Sequence, residues 1–395
     1  MQRRRFGKTE MDLSVLSFGA MRITPSDGET PAQTTDRAQA TLKRALDVGI
    51  NHIETARGYG ESEALIGAAL RDGVISRDQF YLTTKIGPDS SAESFRRALD
   101  DSMARMNVTY VDNLDIHGIN LAEHIDIMTA PGGCMDAVRQ AMDEGLVGHI
   151  GFSTHAPLEV ILDTIRTGMF ESINLHYYYI NSRNQPAVEL ARSMDMGIYI
   201  ISPTDKGGQL FASPEKLTEL CAPWTPIEMN QRWLLSQPDV HTLSLGCTSP
   251  SEFDAHLNMA NRTHGPLTPD ELEIFARLER AFGVLGDSFC NFCHACLPCP
   301  EDVHIPEILR LRNLTYAFEM EGFGKYRYKM FAHKDAATGE RTGGAGHWFP
   351  GADAEFCTRC GDCLPRCPLK LNIPELLDDT HARISGEVGK RLWAN

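Results

Sequence analysis

Between residues 13 and 282 the chain alternates eight times between a short β-branched run and an amphipathic stretch, and this rhythm constrains the fold more than any other feature. The runs at residues 14–18, 52–55, 80–85, 111–117, 147–153, 172–176, 198–202 and 241–246 read as strands. Stretches such as 35–48, 91–106 and 157–167 carry apolar residues at helical spacing. Eight consecutive strand-plus-helix units predict an α/β fold, a parallel (β/α)8 TIM barrel. A doubly wound open sheet is the alternative, but no G-x-G-x-x-G follows the first strand. The 395 residues exceed the about 250 of such a barrel and leave room for an appended module. The expected division is a barrel over residues 1–285 and a second domain over 286–395. The boundary falls in the glycine-containing stretch 283–288, after a helix at 270–282.

Bulk properties narrow the function. A hydrophobic content of 42% with 23% charged residues is that of a soluble globular protein, and no apolar run is long enough to span a bilayer. The formal charge of −15 argues against a nucleic-acid partner, which needs a concentrated basic face. The one basic cluster, Arg3-Arg4-Arg5-Phe6-Gly7-Lys8, has the outline of a twin-arginine export signal. Thr9, Glu10 and Asp12 occupy the place where such a signal needs an apolar stretch, so the expectation is a reducing cytoplasm.

Eight of the eleven cysteines fall in two tight runs, Cys290, Cys293, Cys296 and Cys299 before Pro300, then Cys357, Cys360, Cys363 and Cys367 before Pro368. Three thiolates at C-x2-C-x2-C spacing can hold three corners of one [4Fe–4S] cube, while the fourth, preceding a proline, ligates the other cube. Cys290, Cys293 and Cys296 are therefore paired with Cys367, and Cys357, Cys360 and Cys363 with Cys299. Structural zinc and a disulfide framework also use paired C-x2-C spacings, but four-ligand zinc leaves the third step and both Cys-Pro endings unexplained. Disulfides need an oxidising compartment. The first run has two residues, not the commoner three, before its last cysteine, which bears on the role of Cys299. Cys134, Cys221 and Cys247 read as small core or loop residues. Between the runs, 305–331 reads as helical and 337–346 as a glycine-rich loop. A helical module with split cysteine runs resembles the α-helical ferredoxin domains attached to many redox enzymes. No repeat of 20–50 residues is evident beyond the barrel's own βα rhythm.

Catalysis in such a barrel sits at the C-terminal ends of the strands. Glu54 and Tyr59 close the second unit, Lys85 ends the third strand, and His117 ends the fourth. A carbonyl that receives hydride becomes an alkoxide and needs a proton donor with a pKa drawn below the phenol's about 10. Lys85 beside Tyr59 favours the phenolate, Glu54 holds the ammonium charged and in place, and His117 can hydrogen-bond the carbonyl oxygen. Each residue alone reads as scaffold; four on consecutive strand ends read as a site.

A strand-ending acid, a tyrosine five residues on, a lysine ending the next strand and a histidine ending the one after resemble the aldo-keto reductase superfamily across residues 1–282. Arg5-Phe6-Gly7-Lys8-Thr9 and Glu61-Ser62-Glu63 are similar to family features. The resemblance implies Asp where Glu54 stands, and the added methylene moves the carboxylate by over an ångström unless the backbone compensates; about 1 Å of displacement can cost 10²-fold in rate. It implies NAD(P)H as cofactor, with Ser153 and Asn174 on the nicotinamide carboxamide and Pro203, Lys206, Gly207 and Gly208 along the pyrophosphate. Gly246 and Thr248 would lie at the adenosine ribose, where Ser251 capping a short helix is the structural alternative. Where an Arg commonly grips the 2′-phosphate stands Glu252, so a preference for the phosphorylated cofactor is not assured.

The loops at 118–133 and 211–226 and the run Tyr177-Tyr178-Tyr179 would frame the substrate, an apolar or ring-bearing carbonyl or alcohol, unless the tyrosines only pack. The expected function is an oxidoreductase moving hydride between NAD(P)H and a carbonyl or alcohol, coupled through its clusters to an electron-transfer protein. Two alternatives stand beside it: a redox-sensing or binding protein with structural clusters, and an acid–base enzyme for elimination or isomerisation on the same barrel.

Overall fold

The computed structural model describes residues 1–262, 264–335, 337–344 and 350–386. The chain forms two compact units, one of Met1–Gly207 with Ile227–Pro266, the other of Gly208–Pro226 with Leu267–Asn395.

The first unit is a barrel of eight parallel strands: β1 Leu16–Gly19, β2 His52–Glu54, β3 Tyr81–Ile86, β4 Val111–Ile116, β5 Val147–Ser153, β6 Ser172–Leu175, β7 Gly197–Ile201 and β8 Thr242–Leu245. They pair in sequence order, and β8 closes on β1. Closure rules out the open sheet. The expected first strand at 14–18 is split: Asp12–Ser14 instead pairs antiparallel with Arg3–Arg5, and only Leu16–Gly19 enters the barrel. The basic N-terminus is thus strand, with the Arg4 guanidinium donating to the carbonyls of Leu235 (2.6 Å) and Gln237 (2.9 Å). Phe6 from the turn of this hairpin packs with Met11, Leu13 and Tyr199. Burying such a ring contributes about 2–3 kcal/mol. A Cβ on Gly197 would lie 2.6 Å from the Phe6 ring, so β7 begins on glycine to admit it.

Local signals set the helix ends. Helix Pro31–Asp47 begins four residues before the expected 35 because Thr30 and Gln33 form a capping box and Pro31 takes the first turn. Ser91 caps Ala92–Met106. Gly67 in helix Ser62–Arg71 leaves no room for a side chain, since a Cβ would meet the Arg105 carbonyl at 2.1 Å. The loops 118–133 and 211–226 are not structureless; they carry helices Ala122–Thr129 and Glu215–Cys221. No helix among the described residues is long and apolar enough to cross a membrane.

The barrel interior is unusually polar. Ser17 bonds His52 Nδ1 at 2.7 Å, and His52 Nε2 meets Thr83 at 2.8 Å; burial pushes this imidazole down to about 3, so it is neutral. Asp115, fully buried on β4, accepts from Asn113 Nδ2 at 2.8 Å and from the Tyr199 hydroxyl. Gly151 on β5 makes the space, since a Cβ there would sit 2.3 Å from Asp115 Oδ1.

Helices of the second unit include Glu215–Cys221, Pro269–Ala281, Ile305–Phe318, Glu321–Tyr328 and Ile373–Ile384, with a small hairpin of Ala332–Lys334 and Arg341–Gly343. The single helix expected over 305–331 is two, because Glu319 takes the left-handed conformation (φ 58°) and ends the first. The glycine-rich stretch supplies a strand at Arg341–Gly343; its residues 345–346 lie outside the described residues. A duplication that sequence inspection missed is evident here. Cys299-Pro300 and Cys367-Pro368 both lead, six residues after the cysteine, into an Ile-Pro-Glu helix start at Ile305 and Ile373, whose preceding residues His304 (φ −81°, ψ 66°) and Asn372 (φ −76°, ψ 72°) match. Phe292 and Arg359 share a φ near 57°, as do Asp302 and Lys370 near 55°. The copies lie further apart than a 20–50-residue repeat and one carries an inserted residue, which hides them from a period search.

Asp115 yields a test of the buried network. Burial raises its pKa to about 6 from 3.8, with Lys85 and the bond from Tyr199 opposing. Between those values the folded state holds a proton the unfolded state has lost, so this group makes stability fall as pH rises, and above about 6 the penalty is constant. Relative to wild type, Asp115→Asn should gain on the order of 2–3 kcal/mol in unfolding free energy from about pH 4 to pH 6, then no more. Urea denaturation across that range measures it; a difference that does not change with pH overturns the assignment.

Candidate active site

The structure brings Glu54, Tyr59, Lys85 and His117 together at the C-terminal ends of β2, β3 and β4. Lys85 is 1% exposed, and its ammonium pairs with Glu54 Oε2 and donates to the Thr55 carbonyl at 3.0 Å. Burial pulls the ammonium pKa down, but Glu54, Tyr59 and Asp115 together hold it above the ordinary lysine value, so Lys85 stays charged. The Lys85 Nζ lies 5.1 Å from the Tyr59 ring centroid, and that ring meets His117 edge to face at 5.5 Å. The expected lowering of the phenol is outweighed: burial pushes Tyr59 up to about 12, with Lys85 the main opposing influence. Tyr59 therefore keeps its proton at neutral pH. His117 is pushed down to about 3 by burial, then by Lys85 and Lys206, and is a neutral donor.

The fit of Glu54 has a specific cause that sequence reasoning missed. Its other oxygen, Oε1, accepts from Ser244 Oγ on β8 at 2.6 Å. Gly19 pairs directly with Glu54 across the sheet, and a Cβ on Gly19 would lie 2.6 Å from both Glu54 Oε1 and Ser244 Oγ. The longer acid occupies the space of the missing side chain. The Glu61-Ser62-Glu63 run supports it from behind: Thr55 donates to Ser62 Oγ at 2.8 Å and Ser62 to the Ala20 carbonyl at 2.9 Å, while Glu63 accepts from Thr84 at 2.7 Å.

Ser153 and Asn174 are paired in register on β5 and β6. Ser153 Oγ accepts from the Gly118 amide at 3.0 Å, and the buried Asn174 Oδ1 has no hydrogen-bond partner among the described residues. Pro203, Lys206 and Gly207 form a tight turn in which Lys206 N donates to Ser202 O at 3.0 Å and a Cβ on Gly207 would strike the Pro203 carbonyl. The first segment of the first unit ends at Gly207, and Gly208 opens a segment of the second. Gly246 O accepts from Arg22 at 2.9 Å, and Thr248 donates its amide and hydroxyl to Glu252, which lies 3.9 Å from Arg22. Tyr177 and Tyr179 pack on Trp233, so these two members of the tyrosine run are packing residues. A chain also missed runs from His155 Nδ1 to His176 Nε2, from His176 Nδ1 to the Tyr178 hydroxyl at 2.7 Å, and from Tyr178 to the Ile201 carbonyl at 2.6 Å. Because that carbonyl only accepts, the tyrosine proton points to it, His176 donates through Nδ1 and accepts through Nε2, and His155 donates through Nδ1. Extending the search for polar strand-end residues to β6 would have found His176.

In the second unit the eight cysteines line two cavities. Cys290, Cys293, Cys296 and Cys367 surround the first, and Cys299, Cys357, Cys360 and Cys363 the second. Burial pushes the Cys296 thiol up to about 12, Cys290 adding to it, and the rise at Cys290 includes the influence of Cys367 from the other run. Cys134, Cys221 and Cys247 are buried and line neither cavity. Among the described residues no group of three or more His, Cys, Asp or Glu side chains is gathered closely enough to hold a single metal ion.

The Gly19–Glu54 contact predicts a coupled pair. Gly19→Ala should destabilise by about 1–3 kcal/mol through overpacking, and Glu54→Asp should destabilise by weakening the ion pair. The double variant should lose less than the sum, by about 0.5–3 kcal/mol, as the methyl fills the space the shorter acid vacates. Simple additivity in a denaturation cycle refutes the coupling.

The sequence profile of the Aldo/keto reductase family matches residues 15–280. The oxidoreductase YqkF of Bacillus subtilis is 23% identical over 69% of this chain and 95% of its own. L-Galactose dehydrogenase of Arabidopsis thaliana is 29% identical over 52% of this chain and 66% of its own, and 6-dehydroglucose reductase of Novosphingobium aromaticivorans 32% over 38% and 50%. The holo structure of aldo-keto reductase AKR11C1 from Bacillus halodurans shares the fold, with a TM-score of 0.59 and 22% identity over 70% of this chain and 96% of that one. The barrel-mouth quartet and the match over most of the chain thus meet in one statement: this chain belongs to the aldo/keto reductase family and is an oxidoreductase.

Proposed function

We propose that the barrel reduces a carbonyl, or oxidises the corresponding alcohol, with NAD(P)H. The observation that carries this reading is the buried Lys85–Glu54 pair beneath a protonated Tyr59 and a neutral His117. The nucleotide supplies hydride when bound. Tyr59 gives its proton to the oxygen as negative charge develops there, His117 donates a hydrogen bond to the same atom, and Lys85 stabilises the phenolate left behind. The residues fit the nucleotide: Asn174 Oδ1 is a buried acceptor without a partner among the described residues and would take the carboxamide together with Ser153. Pro203, Lys206, Gly207 and Gly208 would follow the pyrophosphate, and Gly246 and Thr248 the ribose. Because two relatives are named for sugar substrates, sugars belong in the carbonyl panel beside apolar and ring-bearing compounds.

Residues 286–395 form, on this reading, a helical ferredoxin-like domain with two [4Fe–4S] clusters appended to a catalytic domain of residues 1–285. Support comes from the two cavities, each lined by three cysteines of one run and the last of the other, the crossed arrangement that two cubes require. A zinc ion would draw four thiolates to about 2.3 Å from one centre, whereas a cube spreads them over four irons around a cavity. The clusters would exchange single electrons with an electron-transfer protein, in a reducing cytoplasm without nucleic-acid or membrane partners.

Two experiments test the parts separately. Tyr59→Phe should lower turnover of NAD(P)H with the carbonyl panel by on the order of 10²–10⁴-fold while leaving nucleotide binding nearly unchanged; near wild-type turnover removes Tyr59 as the acid. Anaerobically purified protein should carry about eight iron and eight acid-labile sulfide per chain. Cys367→Ala should release the cluster held by Cys290, Cys293 and Cys296 and loosen the second domain in limited proteolysis without unfolding the barrel. Stoichiometric zinc without sulfide, or loss of only the other cluster, overturns the ligation.

A further inference from the structure

The two cysteine-lined cavities repeat one backbone with opposite charges. Each is closed by a cysteine in the same turn: Asp302 N donates to Cys299 O at 3.0 Å, and Lys370 N to Cys367 O at 3.1 Å. The next two residues after the proline are Glu301 and Asp302 in one copy, Leu369 and Lys370 in the other, and the residue before the cysteine is Pro298 or Arg366. Glu301 and Leu369 occupy equivalent positions and both line their cavities. Cys299 is therefore flanked by two carboxylates, and Cys367 by a guanidinium and an ammonium.

We propose that the two cubes differ in reduction potential, the one bounded by Cys290, Cys293, Cys296 and Cys367 accepting the first electron, with Glu301 and Leu369 as the residues that set the difference. The inference rests on the cluster reading above. Reduction adds negative charge to a cube, which a carboxylate at its edge opposes and nearby cations favour. Other charges do not cancel the asymmetry at the cavity walls. Asp302 faces outward to Arg341 at 2.6 Å with both side chains largely exposed, and Arg359 at the second cavity is paired with Asp378. Glu301 receives only a 3.4 Å bond from neutral Thr358 among the hydrogen bonds described. Arg366 is paired with Asp362 but also donates to the Pro298 carbonyl at 2.9 Å, which keeps it between the two closing turns. Adjacent residues face opposite cavities, Ile305 and Pro306 on one helix and Pro374 and Ile373 on the other, so a wall one residue thick separates them. Electrons equilibrate across so thin a wall, and the potential difference decides where the first one rests.

Potentiometric titration of the full chain followed by electron paramagnetic resonance tests this. The expected result is two one-electron steps at least tenfold apart in equilibrium constant, which is about 59 mV. Glu301→Leu should raise the lower step and leave the upper in place, and Leu369→Glu should lower the upper. Both positions are at least partly exposed, so the fold tolerates the changes. Coincident steps in the wild type, or a Glu301→Leu variant that shifts the upper step or neither, overturns the inference. Iron and sulfide are assayed on the same samples: absent sulfide overturns the cluster reading itself, whereas full sulfide with coincident steps overturns only the asymmetry.

Discussion

A charged ammonium inside a barrel has to be surrounded by acceptors, and the site is arranged around meeting that demand for Lys85. At 1% exposure it has lost its water, a loss of several kcal/mol for an ion this buried. Glu54 answers with a charge and the Thr55 carbonyl with a lone pair, and the Tyr59 ring offers its face. Glu54 in turn needs Ser244, and Thr55 needs Ser62, which leans on Ala20. The partners come from β1 to β3, β8 and the helix after β2, so Lys85 ties together the C-terminal mouth of nearly half the barrel. A buried ion pair of this kind does not increase stability over an apolar pair of equal volume. Its position where tyrosine and histidine also converge is what supports the proposed site.

The same buried charges decide what the neighbouring groups can do. Tyr59 and His117 both sit in their neutral, proton-bearing forms, the first because burial disfavours a phenolate, the second because burial and two lysines disfavour an imidazolium. Both can therefore donate to one oxygen at once. On the proposed mechanism the lysine matters most after the proton has left, when the phenolate would otherwise stand alone in low-dielectric surroundings. Asp115, on β4 two residues before His117, adds negative charge that Lys85 feels and is itself restrained by Tyr199 and Asn113.

Much of the fold was legible because strand and helix periods differ and punctuate one another. All eight barrel strands lie within about two residues of their predicted positions; in the first, a break at Val15 that no propensity announces hands Ser14 to the N-terminal hairpin. The quartet was legible because its members sit at strand ends, which sequence can locate. The helices hidden in loops 118–133 and 211–226 were not, being eight and seven residues long and without a clear apolar stripe. The duplicated turn in the second unit was also missed, since its identity lies more in φ/ψ than in side chains: only Cys, Pro, Ile and Glu recur, while the charges between them invert.

Glu54 illustrates the limit most directly. Read along the chain it is a departure from an expected Asp, and an added methylene should push the carboxylate past the ammonium. In space the methylene is accommodated by a glycine 35 residues earlier, on the strand that pairs with it, and by a serine on the strand that closes the barrel. Neither residue is near Glu54 in sequence, and neither has a chemistry that would draw attention: a glycine in a strand and a buried serine are ordinary. Only the register Gly19 to Glu54 makes them partners. The acid and the space for it form one unit, and its length cannot be judged without the strand beside it.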